Sequence, residues 1–378
     1  MMRPRTSKVL TLVLALIANL LVAEAVFYFF LPQPVYAVRY SPWGWEHLPN
    51  ISFKTVPESK EVVRTIEYNS DGFLGAKEYQ EQRDEGILRI AILGDSETEG
   101  VVDYDYLFST VLEQALVDAV NEANFSGISG AQVINAGVYG YEPCQFLRLF
   151  ESRVLNYQPD IVYVVHNGKG AEDRFCDLDD GRLIYKDLQY TSTQYYLRWG
   201  LSYIRSKSQL ANTIYRLLRH YLVRDLPLPK QFSQNMFRFS PPNSSLLEGS
   251  RAQRSADLSA FTGLDTFSLV SNGFAEGENQ SPNLTQLIYK RIHDLVSSYG
   301  GTTRVIFASK RESDAPIVSF LNTQAIEFFD MAAYLENRRT KAIRFPINGH
   351  WNEYGNHLVA MTFFEIVVQL DFKPNLVD

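Results

Sequence analysis

The sequence predicts an α/β protein, a three-layer α/β/α sandwich around a parallel five-stranded sheet, preceded by one N-terminal transmembrane helix. From residue 88 onward, short runs of β-branched and aliphatic residues alternate with longer segments of helical periodicity, the pattern of a doubly wound parallel sheet. Residues 161–165 are continuously apolar, as in a strand buried on both faces. Residues 9–30 form an apolar run that is long enough for a spanning helix, which needs about 20 residues.

The composition is that of an ordinary globular protein, with 378 residues of which 46% are apolar and 21% are charged. The formal net charge of −7 argues against nucleic acid as a partner, because binding phosphates requires a basic surface. Cys144 and Cys176 are too few for a four-thiolate zinc site, and the chain has no CxxC pair. They are either two thiols or one disulfide, which an oxidising compartment would permit. We expect neither a metal nor a cofactor.

The N-terminus predicts a signal-anchor. Arg3, Arg5 and Lys8 give residues 1–8 a positive charge, and a basic flank of an apolar run stays on the cytoplasmic side. Residues 9–31 are the predicted transmembrane signal-anchor helix. The rest of the chain is therefore expected outside the cytoplasm, periplasmic or extracellular, and attached to the membrane.

Two features of the apolar run leave alternatives open. Glu24 lies within it, which is unfavourable in lipid unless the carboxyl group is near the outer interface or protonated. The triplet Ala23-Glu24-Ala25 also fits a signal-peptidase site, so the anchor is either retained or cleaved after Ala25. Apolar and aromatic residues continue to residue 30, which favours a retained anchor. Both routes export the remaining chain.

The exported part is divided by its composition and periodicity. Residues 32–86 are predicted to be a linker and N-terminal extension, irregular apart from a strand at 62–68, and residues 87–370 are predicted to be the main domain. The strands of its sheet are expected at residues 88–93, 133–135, 161–165, 304–308 and 326–329. Its helices are expected at about residues 107–121, 145–155, 284–298 and 353–370.

A helical and irregular insert, residues 174–282, interrupts this rhythm. Residues 195–224 have the spacing of one or two amphipathic helices. Residues 225–282 are rich in Pro, Ser, Gly and Asn without a clear period, which is typical of a lid or of disorder.

Ser96 is the candidate nucleophile. It follows the strand at 88–93 in the sequence Gly94-Asp95-Ser96, and ligands of such sheets bind beyond the carboxyl ends of the strands. A serine at this turn presents its hydroxyl at the sheet edge, and its N–H, at a helix start, can face a developing oxyanion. Serine is a weak nucleophile without a base to remove its proton. The alternative is that Ser96 only caps a helix at a tight turn.

His350 is the candidate base. It follows a loop that contains Pro346, Asn348 and Gly349, and it precedes the last predicted helix, so the loop can return the imidazole over the sheet edge. A single loop histidine is more often a surface residue. His166, which ends the third predicted strand, is its main competitor.

These motifs together resemble the SGNH hydrolases, the GDSL-like esterases and acyltransferases, in their membrane-anchored bacterial branch. The resemblance covers residues 65–365. Residues 68–73 and 94–100 are similar to the family's first block, residues 135–140 to its second, and residues 349–355 to its last.

The resemblance implies a flavodoxin-like sheet and a site for acyl transfer. Ser96 would be the nucleophile and His350 its base. The N–H groups of Ser96 and Gly140, with the Asn167 amide, would form the oxyanion hole. Asp95 would be a structural residue of the first motif.

Two departures from the family's pattern matter for activity. The third block reads His166-Asn167-Gly168 where the family has Gly-x-Asn-Asp, so that Asn167 comes about two residues early. The family's acid precedes the histidine by two or three residues, where this chain has Asn348 and Ile347. In a chymotrypsin-type triad, an Asp→Asn change costs about 10⁴ in rate.

Three interpretations of the missing acid stay open. Ser96 and His350 act as a dyad, with Asn348 orienting the ring. A distant carboxylate, Asp330 or Glu353, replaces the acid. In the third interpretation, nothing replaces the acid and the protein is a weak or inactive enzyme.

The expected function is an extracytoplasmic serine esterase or acyl hydrolase. Its substrate would be a small ester, or an acylated glycan or lipid of the envelope, with hydrolysis, deacetylation or O-acyl transfer as the reaction. The alternative is an inactive protein of the same fold that binds glycan or assists polysaccharide assembly. A nucleotide-binding domain is disfavoured, because no GxGxxG or GxxxxGK[ST] follows a strand.

Overall fold

The computed structural model describes residues 4–123, 127–168, 173–222, 282–309 and 312–371. The strands in these ranges are β1 (Val38–Ser41), β2 (Gly44–His47), β3 (Ile51–Thr55), β4 (Arg64–Tyr68), β5 (Ile87–Gly94), β6 (Gly130–Gly137), β7 (Ile161–His166), β8 (Cys176–Asp179), β9 (Arg182–Tyr185), β10 (Thr302–Phe307) and β11 (Glu327–Asp330). The helices are α1 (Pro4–Phe29), α2 (Ser96–Glu99), α3 (Phe108–Ala123), α4 (Pro143–Ser152), α5 (Ser192–Lys207), α6 (Gln209–Leu222), α7 (Leu284–Ser297), α8 (Ala315–Thr323), α9 (Met331–Arg338) and α10 (Glu353–Leu370).

A parallel sheet forms the centre of the described structure. Its five strands are arranged in the order β6-β5-β7-β10-β11, and every neighbouring pair is parallel. Numbered along the chain, this is the order 2-1-3-4-5 of flavodoxin-like sheets. The predicted fold class is confirmed, and each predicted strand of the sheet overlaps an observed one.

Helices cover both faces of the sheet because its central strands are apolar on both faces. In β5, Ala91 and Leu93 point into one core with residues of α4, α7 and α8. Ile90 and Ile92 point into the other core with residues of α3, α9 and α10. Alternate residues of a strand face opposite sides, so a continuous apolar run produces the three layers. Helices α8 and α9 were not predicted.

The segment between the apolar N-terminal helix and the sheet is ordered. β1 pairs with β2 and β3 with β4, both antiparallel, so the prediction of an irregular stretch with one strand is wrong for residues 38–55. The β3–β4 hairpin builds a third apolar cluster, which includes Ile51 and Ile66 and reaches Leu107 at the start of α3. Strands of four or five residues have little signal of their own, because pairing and packing stabilise them.

The insert begins with a short hairpin, β8–β9, which the sequence did not predict. Two helices, α5 and α6, then occupy the stretch in which one or two were predicted. Except for residue 282, the predicted irregular stretch 225–282 lies outside the described residues.

Cys144 in α4 and Cys176 in β8 form a disulfide, with Cα atoms 5.7 Å apart. Of the two alternatives that the sequence left open, the structure has the disulfide. It ties the insert to the helical layer beside the sheet.

α1 contains a segment, Lys8–Phe29, that is long and apolar enough to cross a membrane, with a mean hydropathy of 2.4. Its contact with the rest of the chain is near its C-terminal end. There the Glu24 carboxylate accepts hydrogen bonds from Ser208 Oγ (2.7 Å) and from the N–H groups of Gln209 (2.8 Å) and Leu210 (3.0 Å). These N–H groups open α6, and the first N–H groups of a helix have no partner within it. The Glu24 carboxylate, although it lies within the apolar run, therefore supplies hydrogen-bond acceptors for the first N–H groups of α6.

Candidate active site

The nucleophile turn is built at the carboxyl end of β5. Asp95, which is 2% exposed, accepts a hydrogen bond from the Glu97 N–H at 3.0 Å and caps the single turn α2. Ser96 is therefore the first residue of that turn, half-buried at the sheet edge. Gly94 has no room for a side chain, because a Cβ there would lie 2.0 Å from Thr98 Oγ1. The Asp95 side chain is thus engaged in capping this turn.

The imidazole of His350 reaches the hydroxyl of Ser96. His350 Nε2 lies 2.7 Å from Ser96 Oγ, within the range for proton transfer from a nucleophile to its base. The two residues are 254 positions apart in the chain.

A tight loop holds His350 at this position. The Phe345 N–H donates to the His350 carbonyl at 2.9 Å, and the Gly349 N–H donates to the Phe345 carbonyl at 3.0 Å. Gly349 has a φ of 77°, in the left-handed region that favours glycine. Asn352 then caps α10 by accepting from the Gly355 N–H at 2.9 Å. The loop therefore turns back to the sheet edge before the last helix begins.

Asn348 contacts the other ring nitrogen of His350, Nδ1, and thereby orients the imidazole. Its side-chain oxygen is hydrogen-bonded to His350 Nδ1, and its carbonyl oxygen lies 3.2 Å from the same atom. Because both groups are acceptors, Nδ1 must carry the proton, which leaves Nε2 to accept the proton of Ser96. Glu61 secures the loop by accepting from the N–H groups of Ile347 (2.9 Å) and Asn348 (2.6 Å).

The two carboxylates that were considered as substitutes for the missing acid are not hydrogen-bonded to His350. Asp330 caps α9 by accepting a hydrogen bond from the Ala333 N–H at 3.0 Å. Glu353 lies in the first turn of α10. Within the described residues, Asn348 and no carboxylate is hydrogen-bonded to His350 Nδ1.

Glu97 is a charged residue of the site that the sequence analysis missed. It is buried directly after Ser96, where the guanidinium of Arg344 pairs with its carboxylate and also donates to the Gly349 carbonyl at 2.7 Å. Burial raises the pKa of the Glu97 carboxyl above its usual value, and the positive charge of Arg344, with that of His350 when its ring is protonated, opposes the rise. The pair links the nucleophile turn to the histidine loop. The one feature of the sequence that could have identified Glu97 as a site residue is its position next to Ser96.

The residues expected to form the oxyanion hole follow the two strands beside β5. Gly140 lies after β6 with a φ of 74°, and the Val138 N–H donates to the Gly94 carbonyl at 3.1 Å, which holds this loop against the nucleophile turn. Asn167 follows β7, and its side-chain oxygen accepts from Ser309 Oγ at 2.8 Å. The sheet is parallel, so Ser96, Gly140 and Asn167 share its carboxyl edge.

A second buried carboxylate supports the loop before Gly140. Glu99 accepts from the Tyr139 N–H at 2.6 Å and from Tyr68 Oη at 3.2 Å, and His47 and Arg64 lie within 4 Å of it. Burial raises the pKa of the Glu99 carboxyl, but His47, Arg64 and the Tyr139 N–H together bring it below its usual value. Glu99 is thus stabilised as a carboxylate.

His166, the competing histidine, is in a separate buried cluster. Its Nδ1 lies 2.8 Å from Tyr289 Oη and its Nε2 lies 3.3 Å from Asp314 Oδ1. In the described ranges, no group of three or more His, Cys, Asp or Glu side chains is arranged to hold a metal ion.

No family model matches the chain, and no curated protein is significantly similar to it. Among solved structures, it is similar to a lipase/acylhydrolase from Enterococcus faecalis at 10% identity and a TM-score of 0.36, over 76% of this chain and 98% of that one. A putative lipolytic protein of the G-D-S-L family from Desulfitobacterium hafniense DCB-2 is 11% identical, with a TM-score of 0.35, over 74% and 99% of the two chains. A catalytic mutant of the acetylxylan esterase Axe2 from Geobacillus stearothermophilus is 11% identical, with a TM-score of 0.36, over 75% and 94%. These values are too low to assign this chain a family or an activity.

Proposed function

We propose that this chain is a serine esterase of the SGNH type, with Ser96 as nucleophile and His350 as general base. The observation that carries the proposal is the 2.7 Å contact between His350 Nε2 and Ser96 Oγ at the carboxyl edge of the sheet. If Ser96 only capped a helix, its hydroxyl would not require a histidine beside it. Here the hydroxyl faces a histidine nitrogen that is free to accept its proton. The position of Ser96 at the strand end and its contact with His350 therefore support the proposed roles of nucleophile and base.

The proposed reaction is acyl transfer in two steps. Ser96 Oγ attacks the ester carbonyl while its proton passes to His350 Nε2, and the N–H groups of Ser96 and Gly140 with the Asn167 amide bind the oxyanion. The tetrahedral intermediate collapses, and the leaving alkoxide takes the proton from His350. Water, or a sugar hydroxyl, then attacks the acyl-serine by the same steps.

Glu97 is proposed to supply the negative charge that Asn348 lacks. The Asn348 amide orients the ring, but it cannot stabilise the imidazolium that forms when Ser96 loses its proton. The carboxylate of Glu97 lies close enough for its charge to interact with His350. Because Arg344 neutralises part of that charge, this stabilisation is weaker than that from a carboxylate bonded to Nδ1.

The catalytic domain is proposed to lie outside the cytoplasm on a retained anchor. Residues 1–8 would be cytoplasmic and 9–31 would span the membrane. Residues 32–86 and the domain at 87–370 would be exported. The apolar segment Lys8–Phe29 and the Cys144–Cys176 disulfide, which an oxidising compartment permits, support this topology. The substrate would then be a small ester, or an acylated glycan or lipid of the envelope.

One observation favours the second candidate function, an inactive protein that binds glycan or assists polysaccharide assembly. The residue at His350 Nδ1 is Asn348 rather than a carboxylate. A protein that only binds its ligand needs the shape of the site but not the charge that stabilises an imidazolium.

Hydrolysis of p-nitrophenyl acetate by the purified full chain separates the two candidates. We expect Ser96→Ala and His350→Ala to abolish the hydrolysis, while Ser298→Ala, which removes an exposed hydroxyl at the end of α7, leaves the rate unchanged. Equal rates for the wild type and Ser96→Ala would refute the esterase proposal. An inactive wild type that still binds an acetylated oligosaccharide would support the second candidate.

A further inference from the structure

Helix α5 has its polar side chains turned inward. Ser202 and Ser206 are buried, and Ser202 Oγ accepts from the Val38 N–H of β1 at 3.1 Å. The opposite side of the helix is apolar and exposed: Leu197 is 62% exposed and Ile204 is 54% exposed. A helix on a protein in water normally has the reverse arrangement, because apolar side chains gain from burial.

Helix α6 has the same inverted arrangement. Its buried residues include Asn212, whose amide donates to the Pro34 carbonyl at 3.0 Å, and Gln209, whose amide donates to the Lys54 carbonyl at 2.7 Å. Leu217 and Leu218 are 42% and 51% exposed. The inward hydrogen bonds determine which way each helix faces, so the outward apolar faces are a property of the fold.

The two apolar faces are next to α1. Glu24 binds the first N–H groups of α6, and side chains at residues 8–22 of α1 are exposed. At 1.5 Å per residue, Glu24 lies about 7–8 Å from the end of the apolar segment Lys8–Phe29. The corner between α5 and α6 is therefore at the depth at which α1 leaves the hydrocarbon core.

The charge of α5 and α6 fits an anionic lipid surface. Residues 192–222 contain no Asp or Glu, although the whole chain has a net charge of −7. Their basic residues are Arg198, Arg205, Lys207, Arg216 and Arg219. Arg198 and Lys207 are exposed, whereas Arg216 pairs with Glu58 and Arg205 donates to Asn212 Oδ1 at 3.1 Å. Lys54, which lies 4.9 Å from the centre of the Tyr28 ring at the end of α1, adds a further positive charge near the same level. Basic side chains beside an apolar face are the features of an interfacial amphipathic helix.

We propose that α5 and α6 dock on the outer surface of the phospholipid bilayer that α1 spans, with their apolar faces among the acyl chains and their exposed basic residues, Arg198 and Lys207, at anionic headgroups. This inference rests on the proposed role of α1 as an anchor.

Docking has a consequence for the active site, since α5 packs on β1. The strand paired with β1 carries Trp45, whose indole donates to the Tyr139 carbonyl beside Gly140 at 3.0 Å. Docking would hold the esterase site at a constant height above the bilayer.

Fluorescence quenching of labelled full-length protein in lipid nanodiscs tests the proposal. An environment-sensitive thiol label is placed on Leu197→Cys, Leu218→Cys, Leu14→Cys in α1, and Glu336→Cys in α9. The nanodiscs contain phosphatidylcholine and phosphatidylglycerol. The native cysteines are paired in the disulfide and do not compete for label. Glu336, with a side chain that is 60% exposed, is the matched control on a different helix.

We expect lipids brominated near the headgroup to quench the labels at 197 and 218 several-fold more than the label at 336. Lipids brominated deep in the acyl chain should quench the label at 14. If the labels at 197 and 218 behave like the label at 336 while the label at 14 is quenched, the docking inference is wrong and the anchor stands. Protection from aqueous iodide without quenching by lipid would also overturn it, because protein, either a second copy or residues 223–281, would then cover these faces.

The proposed function fails separately from this inference. If the label at 14 is not quenched, both the anchor and the docking are wrong, whereas the Ser96-dependent hydrolysis of p-nitrophenyl acetate is unaffected. Leu197 and Leu218 are exposed, so their substitution should leave that hydrolysis and the melting temperature unchanged, which establishes that the labelled chains are folded.

Discussion

At the scale of single residues, the chemistry depends on what faces the two nitrogens of His350. Ser96 Oγ is at Nε2 and the Asn348 amide is at Nδ1. The amide selects the reactive tautomer but adds no charge. Glu97, which Arg344 partly neutralises, lies close enough for its negative charge to act on the ring. The geometry of a triad is therefore present without the full electrostatics of one.

Replacing the amide by a carboxylate tests this account. On the proposed mechanism, Asn348→Asp raises kcat/KM for p-nitrophenyl acetate at least about tenfold, or ~1.4 kcal/mol of barrier, because the ionised side chain stabilises the imidazolium. Asn348→Ala, which removes the orienting group, should lower kcat/KM. A lower rate for Asn348→Asp than for the wild type would contradict the account.

Removing the charge of Glu97 should have the opposite effect on activity. Glu97→Gln is expected to lower kcat about tenfold, or ~1.4 kcal/mol of barrier, because the imidazolium loses the stabilising negative charge of Glu97. The raised pKa of Glu97 means that the folded protein disfavours the ionised carboxyl, so the melting temperature at neutral pH should be unchanged or higher. Glu336→Gln in α9 is the control for both measurements. Unchanged kcat in Glu97→Gln would exclude the proposed role.

Glu99, two residues further on, should contribute to stability with the opposite sign. Its folded-state pKa is depressed, so its contribution is fully present above about pH 4.3, the pKa of an unfolded glutamate, and is lost as the pH falls towards the folded-state value. Glu99→Gln should therefore lower the melting temperature at neutral pH and reduce the loss of stability on acidification. Melting curves recorded from neutral pH down to about pH 2, through the range below the unfolded-state pKa in which the loss occurs, measure both effects. Equal pH dependence in the variant and the wild type would be inconsistent with this assignment.

At the scale of elements, the disulfide connects α4, which follows the loop of Gly140, with β8, which follows the loop of Asn167. Cys144 lies in α4 and Cys176 in β8, with a sequence separation of 32 residues. The loop that they close contains β7 and Asn167. A cross-link over this length restricts the unfolded chain and thereby stabilises the folded one.

Removing the disulfide should destabilise the protein without removing a catalytic group. The loop-entropy relation predicts a loss of about 3–4 kcal/mol in the free energy of unfolding for Cys144→Ala/Cys176→Ala. Urea denaturation of both chains, with and without reductant, measures it. Reductant should destabilise the wild type and leave the double variant unchanged. A double variant as stable as the oxidised wild type would show that the cross-link contributes nothing.

At the scale of the whole molecule, Glu24 joins the apolar N-terminal helix to the domain that follows it. Its carboxylate binds the start of α6, and α6 packs against residues 33 and 34 of the following segment. Cleavage after Ala25 would remove this contact and leave the first N–H groups of α6 without their partner.

We therefore expect the chain to keep its N-terminal helix. Protein extracted from the membranes of an expressing bacterium should have the intact mass of 43.2 kDa by mass spectrometry. Glu24→Gln, which keeps the size of the side chain but weakens its acceptance of the α6 N–H groups, should lower the melting temperature relative to the wild type. A soluble product that lacks residues 1–25 would contradict the retained anchor.

Elements with strong local patterns were predictable from the sequence. α10 has the predicted bounds of Glu353 and Leu370, because its cap and its periodicity are both local features. β5 is rich in apolar residues and β7 is a nearly continuous apolar run, and both were predicted to within two residues. By contrast, β1 to β3 depend on cross-strand pairing, and nothing local in their few residues distinguishes them from loop.

The sequence by itself determined the fold class, the position of Ser96 after a buried strand and the position of His350 before the last helix. These follow from periodicity and from the rule that parallel strands share one carboxyl edge. Only the tertiary structure decided that Asn348 faces His350 Nδ1, that Arg344 pairs with Glu97, that Glu24 caps α6 and that Cys144 binds Cys176. Each of these is a contact between side chains whose partner depends on how loops and helices pack, and no local pattern in the chain encodes that choice.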